Sequence, residues 1–197
     1  MWFKIAFIAC FVYAVWVAAT TAKRATRHHG GTINQLAHEV RGLIAVRAAL
    51  GLVFYAALIA WLVWPRALAW SYLDVPVAVR WLAVGLLIPT LALFTMSFRA
   101  LGTNYRGGVG LYERHELVTT GPYRHVRHPI YIAFIAIMLL LVPLSTNWVL
   151  GLSGLLLVTS IAVARIPVEE RELRERFGAR WDAYEDQTRR VLPRTLR

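Results

Sequence analysis

Long apolar stretches alternate with charged segments along the chain, and their lengths indicate the fold class. Residues 2–22, 43–64 and 77–98 are apolar apart from one charged side chain in each stretch. Because about 20 apolar residues in a helix cross a bilayer, each stretch predicts one membrane-spanning helix. For residues 2–22 the alternative is a cleaved signal peptide, but the length of the stretch favours a spanning helix.

A fourth apolar stretch, residues 128–164, is too long for a single crossing and contains no Asp, Glu, Lys or Arg. Pro143, Ser145 and Asn147 interrupt it with the residue types of a turn. We interpret residues 130–164 as a helical hairpin with limbs over 130–141 and 148–164, the first limb being short for a full crossing. The predicted fold is an all-α integral membrane protein with about five transmembrane helices, the last two forming this hairpin.

The C-terminal part of the chain carries apolar side chains at helical spacing. Leu173, Phe177, Trp181 and Tyr184 follow one another at intervals of four, four and three residues. This pattern predicts an amphipathic helix over residues 168–187 that lies on the cytoplasmic membrane surface. The chain is thereby divided into an N-terminal three-helix membrane region, residues 1–98, and a core, residues 99–197.

Composition and charge narrow the class of protein. The 197 residues are 58% hydrophobic and carry a net charge of +11, which together exclude a disordered basic tail and an ordinary soluble enzyme. Basic residues follow the first, third and fifth predicted helices. The positive-inside rule then predicts an outside N-terminus and a cytoplasmic C-terminus, and the expected location is a prokaryotic cell membrane.

Several partners and cofactors are not expected. Acidic residues interrupt the basic tail, so no nucleic-acid partner is predicted. The single cysteine excludes a disulfide framework, and His125 and His128 lack the acidic or cysteine neighbours of a metal site. The glycines after residue 101 do not follow the dinucleotide-binding pattern, and no phosphate-binding loop motif occurs.

One pair of charges stands where the last hairpin helix leaves the bilayer. Arg165 and Glu169 are four residues apart, which puts them on one face of a helix. An interfacial pair with both signs suits a ligand that carries both signs. Arg165 and Glu169 are therefore the candidate functional residues of the protein.

Two motifs in a fixed order resemble a known family. Residues 117–131 read LVTTGPYRHVRHPIY, and residues 169–184 follow the pattern E-E-x-x-L-x-x-x-F-G-x-x-W-x-x-Y. With a charge-free hairpin between them, they resemble the isoprenylcysteine carboxyl methyltransferase family, part of a wider group of integral membrane methyltransferases that includes phospholipid methyltransferases. The resemblance covers roughly residues 100–193, about half of the chain, and makes residues 99–197 the expected methyltransferase core.

The resemblance implies S-adenosylmethionine as the cofactor and assigns roles to individual positions. Arg165 takes the place of the arginine that faces the substrate, and Glu169 closes the cofactor site, so these two are the expected catalytic residues. The implied cofactor contacts are His115, Glu116, Leu117, Val118, Tyr123, His128, Pro129, Ile130, Tyr131 and Glu169.

The expected reaction is carboxyl O-methylation of an isoprenylcysteine-like acceptor, a lipophilic or lipidated substrate met at the bilayer. A carboxylate is already ionised near neutral pH and needs no general base. N-methylation of a phospholipid amine stays open, with the phosphodiester as the partner of Arg165. A non-enzymatic membrane transport or assembly protein is the remaining alternative, which the small number of mid-helix charges disfavours.

Overall fold

The computed structural model describes residues 2–29, 41–106, 112 and 114–190, and within these residues the chain is helical with no strand. Its α-helices are α1 (Trp2–His29), α2 (Arg41–Val63), α3 (Val77–Leu101), α4 (Pro129–Ser145), α5 (Trp148–Phe177) and α6 (Ala179–Gln187). Short 3-10 helices span Pro65–Ser71, Gly102–Asn104 and Gly121–Arg124. Isolated β-bridges join Tyr72 to Asn147 and Val126 to Arg189.

The lengths of the helices agree with the membrane pattern of the sequence. In the described part of the chain, four helices are long and apolar enough to cross a bilayer, namely Trp2–His29, Ala45–Val63, Val77–Asn104 and Trp148–Phe177. The 17 residues of α4 are apolar but extend only about 26 Å, less than the roughly 30 Å of a hydrocarbon core. The predicted all-α membrane fold with a short first hairpin limb is confirmed.

The hairpin forms the centre of the helix packing. α4 packs against α3 and α5, α2 packs on the outer side of α5, and α1 packs along α3. Several large apolar side chains in this packing are fully buried, among them Phe94, Phe98, Leu141, Leu144 and Leu150. Phe94 and Phe98 pack near the end of α3 that borders the predicted site residues, whereas Leu141, Leu144 and Leu150 pack beside the hairpin turn.

Two glycines allow α5 to approach its neighbours closely. A Cβ atom on Gly151 would overlap the Val142 side chain on α4 and lie 3.1 Å from the Cα of that valine. A Cβ atom on Gly154 would lie 2.7 Å from Sδ of Met138 and 2.8 Å from Cε2 of Phe54. Small residues commonly mark the closest contacts between membrane helices, and these two fix how α5 sits against α2 and α4.

The turn of the hairpin is shorter than the sequence predicts. Pro143 lies inside α4, and the chain reverses only at Thr146, which is left-handed with φ of 54°, and Asn147. Asn147 is fully buried, accepts the backbone N–H of Leu150 and donates through Nδ2 to the Ser71 hydroxyl at 2.7 Å. The asparagine therefore caps α5 and ties the hairpin to the connection between α2 and α3.

Two cations at this same end of the bundle bind helix carbonyls. Lys4 Nζ donates to the carbonyl of Trp61 at 2.8 Å, near the end of α2. Arg80 donates through a terminal guanidinium nitrogen to the carbonyl of Leu144 at 3.3 Å, at the end of α4. The last carbonyls of a helix have no partner within the helix and carry its negative end, so a cation is favourable there.

The predicted separate C-terminal helix over residues 168–187 is wrong. α5 runs without a break through Pro167 to Phe177, because one proline removes only a single helical N–H. The break comes at Gly178, whose φ of 50° is a conformation that glycine adopts readily, and α6 follows. Trp181 and Tyr184 on α6 are buried, whereas Leu173 and Phe177 on α5 are half-buried, so the predicted amphipathic stripe is divided between two helices.

The substitution Gly151→Ala is expected to lower the thermal midpoint of the detergent-solubilised protein, because the new methyl group overlaps Val142. Overpacking of this kind costs about 1–3 kcal/mol. Gly85→Ala is the matched control, since a Cβ atom at Gly85 has no neighbour within 4 Å. It should leave the midpoint unchanged or raise it through its helix propensity. Equal midpoints for the two variants would contradict the close contact of α4 and α5.

Candidate active site

A cavity of about 340 Å³ lies at the end of the bundle where α3 ends and α4 begins. Its walls are the end of α3 with the turn that follows, the segment before α4, and one face each of α4 and α5. Seven of the eleven predicted site residues line it, namely His115, Tyr123, His128, Ile130, Tyr131, Arg165 and Glu169. The fold therefore brings the two sequence motifs to one cavity.

The other four predicted contacts do not line the cavity. Glu116 is exposed, Leu117 and Val118 are half-buried, and Pro129 is buried in the first turn of α4. The backbone N–H of Glu116 donates to Oδ1 of Asn104, which lines the cavity, at 2.9 Å. The segment is thus held near the cavity through its main chain, and direct cofactor contacts of these four residues stay a prediction.

The cavity is also lined by residues that the sequence analysis did not assign to the site. They are Leu101, Asn104, Tyr105, Arg106, Arg127, Phe134, Val158, Ile161, Glu172 and Leu173. Val158 and Ile161 precede Arg165 at helical intervals, so extending the face of the Arg165–Glu169 pair along α5 could have found them. The turn after α3 offered no comparable signal, because its place beside the cavity depends on tertiary packing.

Glu169 is held on the cavity wall by a hydrogen bond from α4. The Tyr131 hydroxyl donates to Oε1 of Glu169 at 2.7 Å. Nε of Arg165 lies 3.7 Å from the same oxygen, which is an ion-pair distance but too long for a hydrogen bond. This buried Nε has no hydrogen-bond partner among the described residues. The pair expected from the sequence exists, and both of its residues line the cavity.

Glu170, the next residue on α5, forms a second and more deeply buried charge cluster. The residue is 4% exposed, and its side chain accepts hydrogen bonds at 3.1 Å from Nε of Arg127, Nε2 of His128 and Nε of Arg190. A terminal nitrogen of Arg190 also contacts its Oε2. His128 lies between the two carboxylates, with Nδ1 3.7 Å from Oε2 of Glu169. Glu169 therefore faces the cavity, whereas Glu170 binds three neighbouring side chains. The sequence motif alone does not reveal this difference.

The segment before α4 is fastened to the C-terminal part of the chain. The Tyr184 hydroxyl on α6 donates to the carbonyl of Tyr123 at 2.8 Å. One terminal nitrogen of Arg127 donates to the carbonyls of Thr188 at 2.6 Å and Glu185 at 3.1 Å. Both contacts place the C-terminal residues behind the cavity wall rather than on a free membrane surface.

The end of α1 reaches the rim of the cavity. His29 stacks on Tyr112 with ring centroids 4.1 Å apart and planes inclined by 7°. The guanidinium of Arg106, a cavity residue, lies 5.1 Å from the centroid of the Tyr112 ring. The first helix therefore contributes to the surroundings of the site, although no sequence motif pointed to it.

His115 is neutral at physiological pH. Burial lowers its pKa from 6.5 to about 4, and the charges of Arg176, His29 and Arg106 act in the same direction. Its buried Nδ1 has no hydrogen-bond partner within the described part of the chain. A neutral imidazole at the cavity wall adds no positive charge to the site.

Comparison with known proteins assigns the family. The family model of the isoprenylcysteine carboxyl methyltransferase (ICMT) family matches residues 83–175, from within α3 to near the end of α5. The matched stretch, residues 83–175, is just under half of the chain and supports its assignment to this family. Membership implies a membrane enzyme that transfers methyl groups, and the matched residues include Arg165 and both glutamates.

A solved structure of the eukaryotic intramembrane Ras methyltransferase ICMT has the same fold. It aligns with a TM-score of 0.54 at 19% sequence identity, covering 95% of this chain and 67% of the other. At this identity the likeness concerns the fold. No curated protein matches the chain in sequence.

Lowering the pH is expected to destabilise the protein through His115. Between pH 6.5 and about 4 the unfolded chain binds a proton at this residue that the folded chain does not, so stability falls as the pH falls through this window. In the variant His115→Gln, stability should fall less over the same pH range. Thermal midpoints of wild type and variant, measured from pH 7.5 down to about pH 4, test this. Parallel curves would show that His115 titrates normally in the folded protein.

Proposed function

We propose that the chain is an S-adenosylmethionine-dependent methyltransferase that methylates the carboxylate of an isoprenylcysteine-like lipid at the cytoplasmic membrane interface. The observation that carries the proposal is the cavity wall formed by Arg165, Glu169 and Tyr131 at the end of membrane-embedded helices. Here a fixed anion and a cation with an unused donor share one apolar-sided cavity, in a chain of the carboxyl methyltransferase family.

The residues of the cavity fit the charges of this cofactor. A volume of about 340 Å³ lies in the range of small-molecule sites. The carboxylate of Glu169, anchored by Tyr131, can bind the positive ammonium or sulfonium group, and the neutral His115 adds no competing positive charge. When bound, S-adenosylmethionine supplies an electrophilic methyl group. The chain's own task is to orient donor and acceptor and to exclude water between them.

The remaining lining suits a lipophilic carboxylate. Phe134 on α4 and Val158 and Ile161 on α5 form an apolar wall on the membrane side of Arg165. Arg165 can hold one carboxylate oxygen by a charge-assisted hydrogen bond and so aim the other at the methyl group. No proton has to be removed, because a carboxylate is ionised near neutral pH. An amine acceptor would require a base, for which the Arg165 side is unsuited.

The proposed orientation puts the cavity on the cytoplasmic side. The N-terminus of α1 and the hairpin turn lie at the opposite end of the bundle, where the described cations Lys4 and Arg80 bind helix carbonyls. Most arginines cluster around the cavity end, as the positive-inside rule requires. The partners of the proposal are then the bilayer and a lipidated molecule that approaches from the cytoplasmic leaflet.

Substitutions at Glu169 and Arg165 should separate cofactor binding from turnover. Glu169→Gln removes the anion and is expected to weaken S-adenosylmethionine binding about tenfold or more. Arg165→Gln should change binding by less than about threefold but lower turnover about a hundredfold, because its contact is made to the acceptor. Calorimetry on detergent-purified protein and a methyl-transfer assay measure the two effects, with Glu175→Gln and Arg171→Gln as controls exposed on the same helix.

Loss of cofactor binding in Arg165→Gln, with no separate effect on turnover, would contradict the assignment of that arginine. No detectable binding of S-adenosylmethionine by the wild-type protein at millimolar concentration would overturn the proposed enzyme itself.

The acceptor is tested by methyl transfer from labelled cofactor. Farnesylcysteine analogues are expected to be labelled with an ester that mild base releases, because the product is a carboxyl methyl ester. Phosphatidylethanolamine vesicles should not be labelled above the level of the Arg165→Gln variant. Base-stable label on the phospholipid would instead identify an amine N-methyltransferase.

A further inference from the structure

We propose that the tail segment, residues 188–190, is part of the working site and that Arg190 is a positioning residue acting on the cavity through Glu170 and His128. The inference deepens the proposed function and rests on it for the identity of the ligand. The matched family region ends at residue 175, so the tail segment lies outside the part of the chain that the family assignment covers.

The backbone of the tail segment pairs with the residues that open α4. The N–H of Arg127 donates to the carbonyl of Arg189 at 2.8 Å, and the N–H of His128 donates to the carbonyl of Arg190 at 3.2 Å. His128 is the residue that caps the start of α4 and also lines the cavity. The tail segment therefore fixes the main chain at the point where the cavity wall begins.

The side chain of Arg190 completes the charge balance of a buried carboxylate. Glu170 is nearly inaccessible to solvent, and a buried carboxylate is stable only when its charge and lone pairs are satisfied. Arg127 contacts only Oε1 of Glu170. Arg190 contacts both oxygens, Oε1 through Nε and Oε2 through a terminal nitrogen. This two-point contact fixes the plane of the carboxylate as well as neutralising it.

The orientation of Glu170 determines that of the His128 ring. A carboxylate flanked by two arginines can only accept, so Nε2 of His128 carries the hydrogen directed at Oε1. The opposite nitrogen, Nδ1, is thereby turned towards Glu169, 3.7 Å away on the cavity wall. If Arg190 is removed, the Glu170 carboxylate loses its two-point contact and can rotate, and the ring of His128 loses its fixed direction.

The position of Arg190 makes this role separable from a purely structural one. Its side chain is 53% exposed, so shortening it opens no internal cavity and the fold should persist. Its effect on the site must then pass through Glu170. This distinguishes Arg190 from Arg127, whose side chain is 8% exposed and also binds two backbone carbonyls.

The test compares Arg190→Gln, Arg190→Lys and the control Arg171→Gln, which removes an exposed charge one residue from Glu170. Imidazole nitrogens are labelled with ¹⁵N, and the His128 signals are identified by their absence in His128→Gln. In the wild type we expect a hydrogen-bonded Nε2–H resonance of His128. Arg190→Gln should lose it and weaken S-adenosylmethionine binding about tenfold, the effect of one charge-assisted hydrogen bond. The thermal midpoint should fall by several degrees, because a buried carboxylate loses one of its partners.

Arg190→Lys keeps the positive charge but not the two-point contact, so it should restore the resonance only in part and leave the dissociation constant at least about threefold above the wild-type value. Arg171→Gln should alter neither quantity. An unchanged resonance and an unchanged dissociation constant in Arg190→Gln would overturn the inference, as would a lower thermal midpoint with no change in the resonance. If Arg190→Gln does not fold, Arg190→Lys decides, because a dissociation constant and resonance identical to the wild type would show that the two-point contact has no role.

The two proposals fail in different ways. If the wild-type protein binds no S-adenosylmethionine, the proposed function is wrong, yet the His128 resonance still tests the link from Arg190. If the wild type binds the cofactor and the Arg190 variants are indistinguishable from it, only the role of the tail segment is wrong.

Discussion

The buried carboxylate of Glu170 is the interaction on which the arrangement of the cavity depends. Its negative charge sits at the bilayer edge with almost no access to water, so the protein has to provide donors from elsewhere in the chain. Arg127 and His128 provide them from the segment before α4, and Arg190 from the C-terminal residues. One anion thereby joins three parts of the chain that are distant in sequence, and leaves Glu169 available to face the cavity.

The two ends of the bundle satisfy their charges differently. At the end with the hairpin turn, Lys4 and Arg80 bind carbonyl groups near the ends of α2 and α4. At the cavity end, arginines bind carboxylates and the carbonyls of the C-terminal segment. The buried guanidinium of Arg127 shows both kinds of balance, because it contacts the Glu170 carboxylate and two backbone carbonyls.

The sequence predicts the membrane helices and the part of the site on α5 that Arg165 and Glu169 form. Apolar length decides whether a helix crosses a bilayer, and the spacing of Arg165 and Glu169 decides that they share a face, so both follow from local pattern. Where α5 ends does not follow, because Pro167 is tolerated inside the helix and Gly178 is the residue that breaks it. The contact of Arg190 with Glu170 is set by tertiary packing, and no residue spacing encodes it.

Because α5 is one continuous helix, its glycines also affect where the cavity residues of that helix lie. Gly151 and Glu169 are 18 residues apart, which at about 100° per residue is a whole number of turns, so they lie along one line of the helix surface. Arg165 is displaced from Gly154 by only about 20° on the same count. The face of α5 that interlocks with its neighbours is therefore also the face that carries the two cavity charges, Arg165 and Glu169. The packing of Gly151 and Gly154, roughly 20 Å away along α5, fixes the rotation of the helix about its axis. It thereby also fixes the side of the helix on which Arg165 and Glu169 lie.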